Sequence, residues 1–330
     1  NYQYGYVEIR AQFPRGKGVW PAFWTLPQGW PPEFDIAEYF GSDDRMHMGL
    51  AHGVCCPATW DSGNFTQLGV EAWHTYGLEW GPGYALFKRD GRPVRAIYAS
   101  YVPAVPMYLI LNSGTRWEAD ASTPFPNYFR VDSVRLFRMP DVVINDATTG
   151  TGLHQFQYNG TWQSIATQSG AFFRDNHWSG KANDSFTVRF NGTRIDLYGA
   201  RDPSHGIAGI SIDGGPETRI DYYAATREDM ALVWSSPPMS PGTHSLTVRV
   251  TGTRNTASQG TFIPADRADV WRIPNRLSGT VIGTTGSWNN LGATRDRAFN
   301  GSLNDHVDAP VSGGSWCGLD LGAGTLKAVT

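Results

Sequence analysis

Apolar residues in this chain recur at every second position. Val7, Ile9, Ala11 and Phe13 alternate with Glu8, Arg10 and Gln12, a period that places one set on a buried strand face and the other in water. Similar strand-like runs cover 19–26, 33–39, 46–52, 73–80, 84–89, 107–111 and 129–137, with Gly, Pro and Asp between them, and Asp90-Gly91 has the chemistry of a tight hairpin turn. No window keeps an apolar i, i+3, i+4, i+7 pattern for three turns, so helices are expected to be short and the chain all-β.

After Arg138-Met139-Pro140-Asp141 the punctuation changes. Asn159-Gly160, Asn191-Gly192 and Asp213-Gly214 separate runs at 186–190, 195–198, 207–212 and 244–250, which reads as a second sandwich. We expect three modules, 1–140, 141–271 and 272–330, the last too short for a β domain with its own core. Both ends read as cut, since no signal-like segment precedes the first strand and no cap follows the last.

Composition narrows the class. With 27 Lys plus Arg against 30 Asp plus Glu, the net charge is −3. That balance lacks the basic face that nucleic-acid binding needs. Charged residues make up 17% of the chain and aromatics 13%, with 13 Trp, a profile foreign to disorder and coiled coil. No apolar run approaches a membrane span. The adjacent Cys55 and Cys56 could close only a strained ring and Cys317 lies in a distant segment, so all three are read as unpaired thiols.

The most specific motif is Glu33-Phe34-Asp35-Ile36-Ala37-Glu38-Tyr39. Strict alternation would put Glu33 and Asp35 on one face but send Glu38 into the apolar set, where an unpaired charge is costly. One extra residue at Ile36-Ala37, a β-bulge, returns Glu38 to the acidic face. Three crowded carboxylates push at least one pKa upward. A retaining glycosidase uses such a split, with an ionised nucleophile and a protonated general acid, and Asp35 between them can share a proton. The alternatives are a solvated acidic strand edge or a calcium site, the latter disfavoured by Phe34, Ile36 and Ala37.

Tyr4-Gly5-Tyr6-Val7-Glu8-Ile9-Arg10, Gly18-Val19-Trp20-Pro21-Ala22-Phe23-Trp24 and the acidic motif resemble, in order and spacing, consecutive strands of glycoside hydrolase family 16. Trp73-His74-Thr75-Tyr76-Gly77-Leu78-Glu79-Trp80 and Met107-Tyr108-Leu109-Ile110-Leu111-Asn112 resemble its later strands. The acidic motif is the bulged form typical of laminarinase-like and algal-galactan branches. The resemblance implies a concanavalin-like jelly roll whose opening strands would precede Asn1. It implies a retaining mechanism with Glu33 as nucleophile, Glu38 as general acid/base and Asp35 as helper, with no cofactor in the chemistry.

Aromatic rings suit the apolar faces of sugars, and Trp20 and Trp24 share a strand face. The resemblance adds Trp117 as a subsite residue, Asn112 and His52 as substrate contacts, and Asp132 as a ligand of a structural Ca2+. His47 and His52 fall on opposite faces unless a further bulge intervenes, so at most one reaches the groove. Trp30 is a possible rim. The second block resembles an accessory carbohydrate-module sandwich, with Trp162, Trp178, Tyr222 and Tyr223 open to either stacking or core roles. Ala298-Phe299-Asn300-Gly301-Ser302-Leu303-Asn304-Asp305 and Trp316-Cys317-Gly318-Leu319-Asp320 resemble the start of a discoidin-like, coagulation-factor type module. The expectation is a secreted, monomeric bacterial endo-hydrolase of β-1,3- or β-1,3-1,4-glucan whose partner is the polysaccharide. Hydrolysis of algal galactans such as agar or porphyran, and non-catalytic carbohydrate binding, are the rivals.

Overall fold

The computed structural model describes residues 2–41, 43–66, 69–272, 280–299, 306, 308, 310–311, 315 and 317–320. Residues Asn1–Arg272 form one compact unit and Ile273–Thr330 another. The first half of the larger unit is the expected all-β jelly-roll sandwich. Its strands are β1 (Gly5–Gln12), β2 (Val19–Leu26), β3 (Glu33–Tyr39), β4 (Arg45–His52), β5 (Thr59–Thr66), β6 (His74–Gly81), β7 (Tyr84–Arg89), β8 (Arg92–Tyr98), β9 (Tyr108–Thr115) and β10 (Arg130–Phe137). They make two five-stranded sheets, β10-β1-β6-β7-β8 and β5-β4-β3-β2-β9.

The alternation in β1 does what its period requires. Val7, Ile9 and Ala11 are fully buried and join Phe23, Phe34, Tyr39, Leu78 and Phe87 in the core. Trp80 sits at its centre, its indole N–H donating to the Pro103 carbonyl at 2.7 Å, with Phe34 tilted against its ring. Asp90 and Gly91 both take positive φ and join β7 to β8 as the turn signature anticipates. Two strands, β5 and β8, escape the sequence pattern. Both are edge strands, and an edge paired on one side tolerates the Gly63 and Asn64 of one and the Pro93 of the other.

The second sandwich begins beyond Pro140 and lies within the same compact unit. Its strands are β11 (Val142–Asn145), β12 (Phe156–Asn159), β13 (Gln163–Ile165), β14 (Asn176–Ser179), β15 (Ser185–Gly192), β16 (Arg194–Arg201), β17 (Ile207–Ile212), β18 (Thr218–Asp221), β19 (Glu228–Ser235), β20 (Gly242–Thr253), β21 (Ile263–Ala265) and β22 (Arg267–Trp271). They form sheets β11-β22-β16-β19, β12-β15-β20-β17-β18 and β13-β14-β21 around Phe156, Phe186, Phe190, Leu197 and Val248. In the smaller unit β23 (Thr280–Gly283) pairs antiparallel with β24 (Cys317–Asp320). The expected discoidin-like motif at 300–305, and Trp316, lie outside the described residues. Cys55 and Cys56 are joined in a disulfide, so the reading of three unpaired thiols holds only for Cys317, which is free and exposed. No described helix is long and apolar enough to cross a membrane.

Strand β7 is buried on both faces, which accounts for its continuous apolar run Tyr84-Ala85-Leu86-Phe87. Ala85 and Phe87 point into the first core, while Tyr84 and Leu86 pack with Phe172, Tyr98 and Met230 against the second sandwich. An ionic network crosses this contact. Arg267 reaches Glu79 at 2.6 Å and holds Asp269 through two bonds of 2.6 and 2.8 Å. Lys88 donates to Glu79 at 2.6 Å and the Tyr84 hydroxyl at 3.2 Å. Burial opposes the charge on Glu79, but Arg267 and Lys88 outweigh it and hold its carboxyl down at about 2.

A carboxyl held below its unfolded value stabilises the fold above that value and loses the contribution as pH falls toward the folded pKa. The joint between the sandwiches should therefore weaken as pH drops from about 4.5 toward 2. Arg267→Met, which strands Asp269 and one side of Glu79 without their cation, should cost roughly 3–5 kcal/mol. Urea unfolding at pH 7 checks it, and an unchanged midpoint would refute the network's role.

Candidate active site

Strand β3 follows Trp30-Pro31-Pro32 and lies inside its sheet between β2 and β4. Against β2, Phe23 faces Ala37 and Trp24 faces Asp35, which leaves Ile36 without a partner. Against β4, Asp35 faces Gly49 and Glu38 faces His47, so two residues of β3 span what one residue of β4 spans. This is a β-bulge at the expected place. Ile36 and Ala37 are both buried, at 2% and 0% exposure, while Glu33, Asp35 and Glu38 are half-buried on the opposite face.

Each outer carboxylate has its own indole. The Trp20 Nε1–H donates to Glu38 Oε1 at 2.6 Å and the Trp30 Nε1–H to Glu33 Oε2 at 2.8 Å. Trp24, from the same face of β2 as Trp20, donates to Asn112 Oδ1 on β9 at 2.6 Å. Phe23, between them, is in the core.

Burial raises all three acids. Burial raises Asp35 well above the usual carboxylate range, and the charges of Glu38 and Glu33 raise it further. The hydrogen bond between Asp35 and Glu33 favours the proton on Asp35 and the charge on Glu33. Burial also raises Glu33, which the hydrogen bonds from Asp35 and Trp30 pull back toward the ionised form. Glu38 is raised by burial, with the Trp20 N–H, His47 and Arg116 acting against the shift. The arrangement sets Asp35, raised well above its usual range, between Glu33 and Glu38, both raised by burial and each accepting an indole N–H.

His52 does not join this group. Strand β4 has no bulge against β5, so its alternation is unbroken and Ala51, Gly49 and His47 are the residues opposite Glu33, Asp35 and Glu38. His52 falls in the other set and stacks on Tyr101, ring centroids 3.8 Å apart. The imidazole beside Glu38 is that of His47, which bonds Asp43 at 3.0 Å and packs on Phe40 at 4.2 Å. Trp117 is 80% exposed beyond the end of β9. The Arg116 guanidinium lies over its ring at 4.1 Å and over Phe40 at 4.0 Å. Asp132 lies on the other sheet, where it faces Arg10 at 3.4 Å. Among the described residues no cluster of three or more His, Cys, Asp or Glu could hold a metal.

Sequence reasoning missed Arg116, weighed His47 but chose His52, and read Trp30 as a rim rather than a donor. The parity of β4 could have singled out His47, but only once the bulge was known to reside in β3. Arg116 carries no such signal, because it reaches the site from the end of β9 over Phe40.

Residues 1–133 match the model for glycosyl hydrolases family 16. The match covers 133 of the 330 residues of the chain. An endo-1,3-1,4-beta-glycanase, ExsH, of Rhizobium meliloti is 32% identical over 112 residues, which are 33% of this chain and 24% of that protein. A glucan endo-1,3-beta-glucosidase of Cryptopygus antarcticus is 38% identical over 94 residues, 25% of this chain and 35% of that protein. The chain thus spans only a quarter to a third of the length of these relatives. Among solved structures, the laminarinase catalytic domain of Thermotoga petrophila is 28% identical with a TM-score of 0.37, covering 42% of this chain and 64% of that one.

The register makes one electrostatic expectation directly measurable. Since His47 lowers the pKa of Glu38, replacing it by the neutral isostere in His47→Gln should raise that pKa. Titration of the Glu38 carboxyl by carbon NMR reads the shift. A downward or absent shift would contradict the placement.

Proposed function

We propose that the family 16 segment hydrolyses a β-1,3- or mixed β-1,3-1,4-glucan with retention of configuration. The observation that carries the reading is the bulge, which gathers Glu33, Asp35 and Glu38 on one face and leaves the two outer carboxyls with different donors. Glu33, already accepting from Trp30, is the nucleophile that attacks the anomeric carbon. Asp35 holds the shared proton beside it, and that hydrogen bond adjusts Glu33 as its charge is lost to the glycosyl ester and restored. Glu38, whose carboxyl burial shifts toward the protonated form, protonates the departing glycosidic oxygen, then takes a proton from the water that hydrolyses the ester. The groove-side rings of Trp20 and Trp24, with exposed Trp117, offer apolar faces to sugar rings.

The substrate class rests on relatives named as endo-1,3-1,4-beta-glycanase and glucan endo-1,3-beta-glucosidase. A galactan reading has one supporting observation, the 29% identity over 158 residues to a keratan-sulfate endo-1,4-beta-galactosidase of Sphingobacterium multivorum. A purely binding role is disfavoured by the three retained carboxylates, whose mutual repulsion a binding surface has no need to bear.

Glu33→Gln should lower kcat on laminarin by at least about a thousandfold while the polymer still binds, and Glu38→Gln should recover turnover of an activated aryl glycoside when azide is supplied. Reducing-end assays on laminarin, lichenan and agarose side by side check both substrate and roles. Undiminished laminarin hydrolysis by Glu33→Gln would overturn the assignment.

A further inference from the structure

Trp178 and Phe262 of the second sandwich lie outside its core. Trp178, on β14, is half-buried and pairs across strands with Gln163 and Pro264. Trp162 packs on Tyr158 and Phe186, and Tyr222 is fully buried, so these two candidates have structural occupations. Trp178 has none, stacking on no other ring among the described residues. Phe262, just before β21, is 42% exposed.

These two rings are shared by two surface concavities of about 630 and 200 Å3. The larger is edged by Thr161, Gln163, Lys181 and Thr261, the smaller by Gln168, Asn176, Ser204 and Arg227. The Phe262 ring is held in place by its surroundings. A Cβ at Gly180 would stand 3.0 Å from it and one at Gly260 3.2 Å, and the Thr261 hydroxyl donates to the Gly180 carbonyl at 3.0 Å. Both glycines leave room for the ring to lie close to the backbone as a flat surface fixed before any ligand arrives.

The lining decides the ligand class. Neither concavity has a carboxylate in its wall, which argues against a cation. Arg227 is already engaged by Asp202 at 3.3 Å and Asp229 at 2.7 Å, so Lys181 is the one cation here without an ion pair among the described residues. That is too little for a polyanion. What remains is a pair of rings flanked by hydroxyl and amide groups. This suits a pyranose, whose C–H face packs on an aromatic while its equatorial hydroxyls reach polar neighbours. Because both concavities adjoin the same two rings, a linear chain of sugars can run through them in succession.

We propose that Trp178 and Phe262 form a polysaccharide-binding platform on the second sandwich, taking the same glycan as the carboxylate groove. The proposal rests on the glycan reading of that groove. Its consequence is two-site attachment, in which a polymer held at one site is presented to the other at high effective concentration.

The test uses the full chain carrying Glu33→Gln, so that polymer is not consumed. Its retardation in native gels cast with laminarin, lichenan or agarose is compared with that of the same chain also carrying Trp178→Ala and Phe262→Ala. Affinity for at least one polymer should fall tenfold or more, and Gln163→Ala at the rim should weaken it severalfold with an unchanged far-UV spectrum. In the otherwise wild-type chain, the double change should leave kcat/KM on a short soluble oligosaccharide as it was. Equal retardation with and without the two rings, or a loss of affinity only in a variant that has lost its fold while Gln163→Ala binds normally, overturns the platform. Failure of the wild-type chain to hydrolyse any of the polymers would instead overturn the hydrolase reading, while ring-dependent retardation would still stand.

Discussion

One unpaired residue in β3 carries the chemistry of the first sandwich. With Ile36 unmatched on β2, the strand changes phase between Asp35 and Glu38, and three acids share a face while Phe34, Ile36, Ala37 and Tyr39 fill the core. Without it, strict alternation would bury Glu38 unpaired and turn Tyr39 outward together. A central strand resists such a change because both neighbours must absorb it. Here both registers shift at the same point.

Everything nearest the acids answers their repulsion. Trp20 and Trp30 each give one N–H, from β2 and from the segment before β3. His47 comes from β4 and Arg116 from the end of β9. Burial, with the charges of Glu38 and Glu33, pushes Asp35 toward its neutral form. These contributions arrive from four separate stretches of chain, so the site depends on the whole sheet being assembled. A ring edge that donates to a carboxylate leaves the faces of the indole uncommitted.

The outer face of the other sheet is used as a joint. Tyr84 and Leu86 bury it against Phe172, and Arg267 ties Glu79 of one sandwich to Asp269 of the other. A buried ion pair contributes less to stability than to fixing one arrangement among several. The two sandwiches are therefore held in a defined relation within one compact unit.

Local periodicity made most of the first sandwich readable. Strands β1, β2, β3, β7 and β10 follow from alternation and turn chemistry, because a strand's period depends only on which face meets the core. The bulge was legible for the same reason, as the cheapest way to keep Glu38 out of the apolar set. Edge strands β5 and β8 were not, since one-sided pairing relaxes the pattern. Nor was the choice of His47 over His52, the donor role of Trp30, the reach of Arg116, or the buried Arg267. By itself the sequence determined which residues could be catalytic and on which face they had to lie. Only the tertiary structure decided what surrounds them, because register across strands and the packing of segments distant in sequence are settled by the whole chain at once.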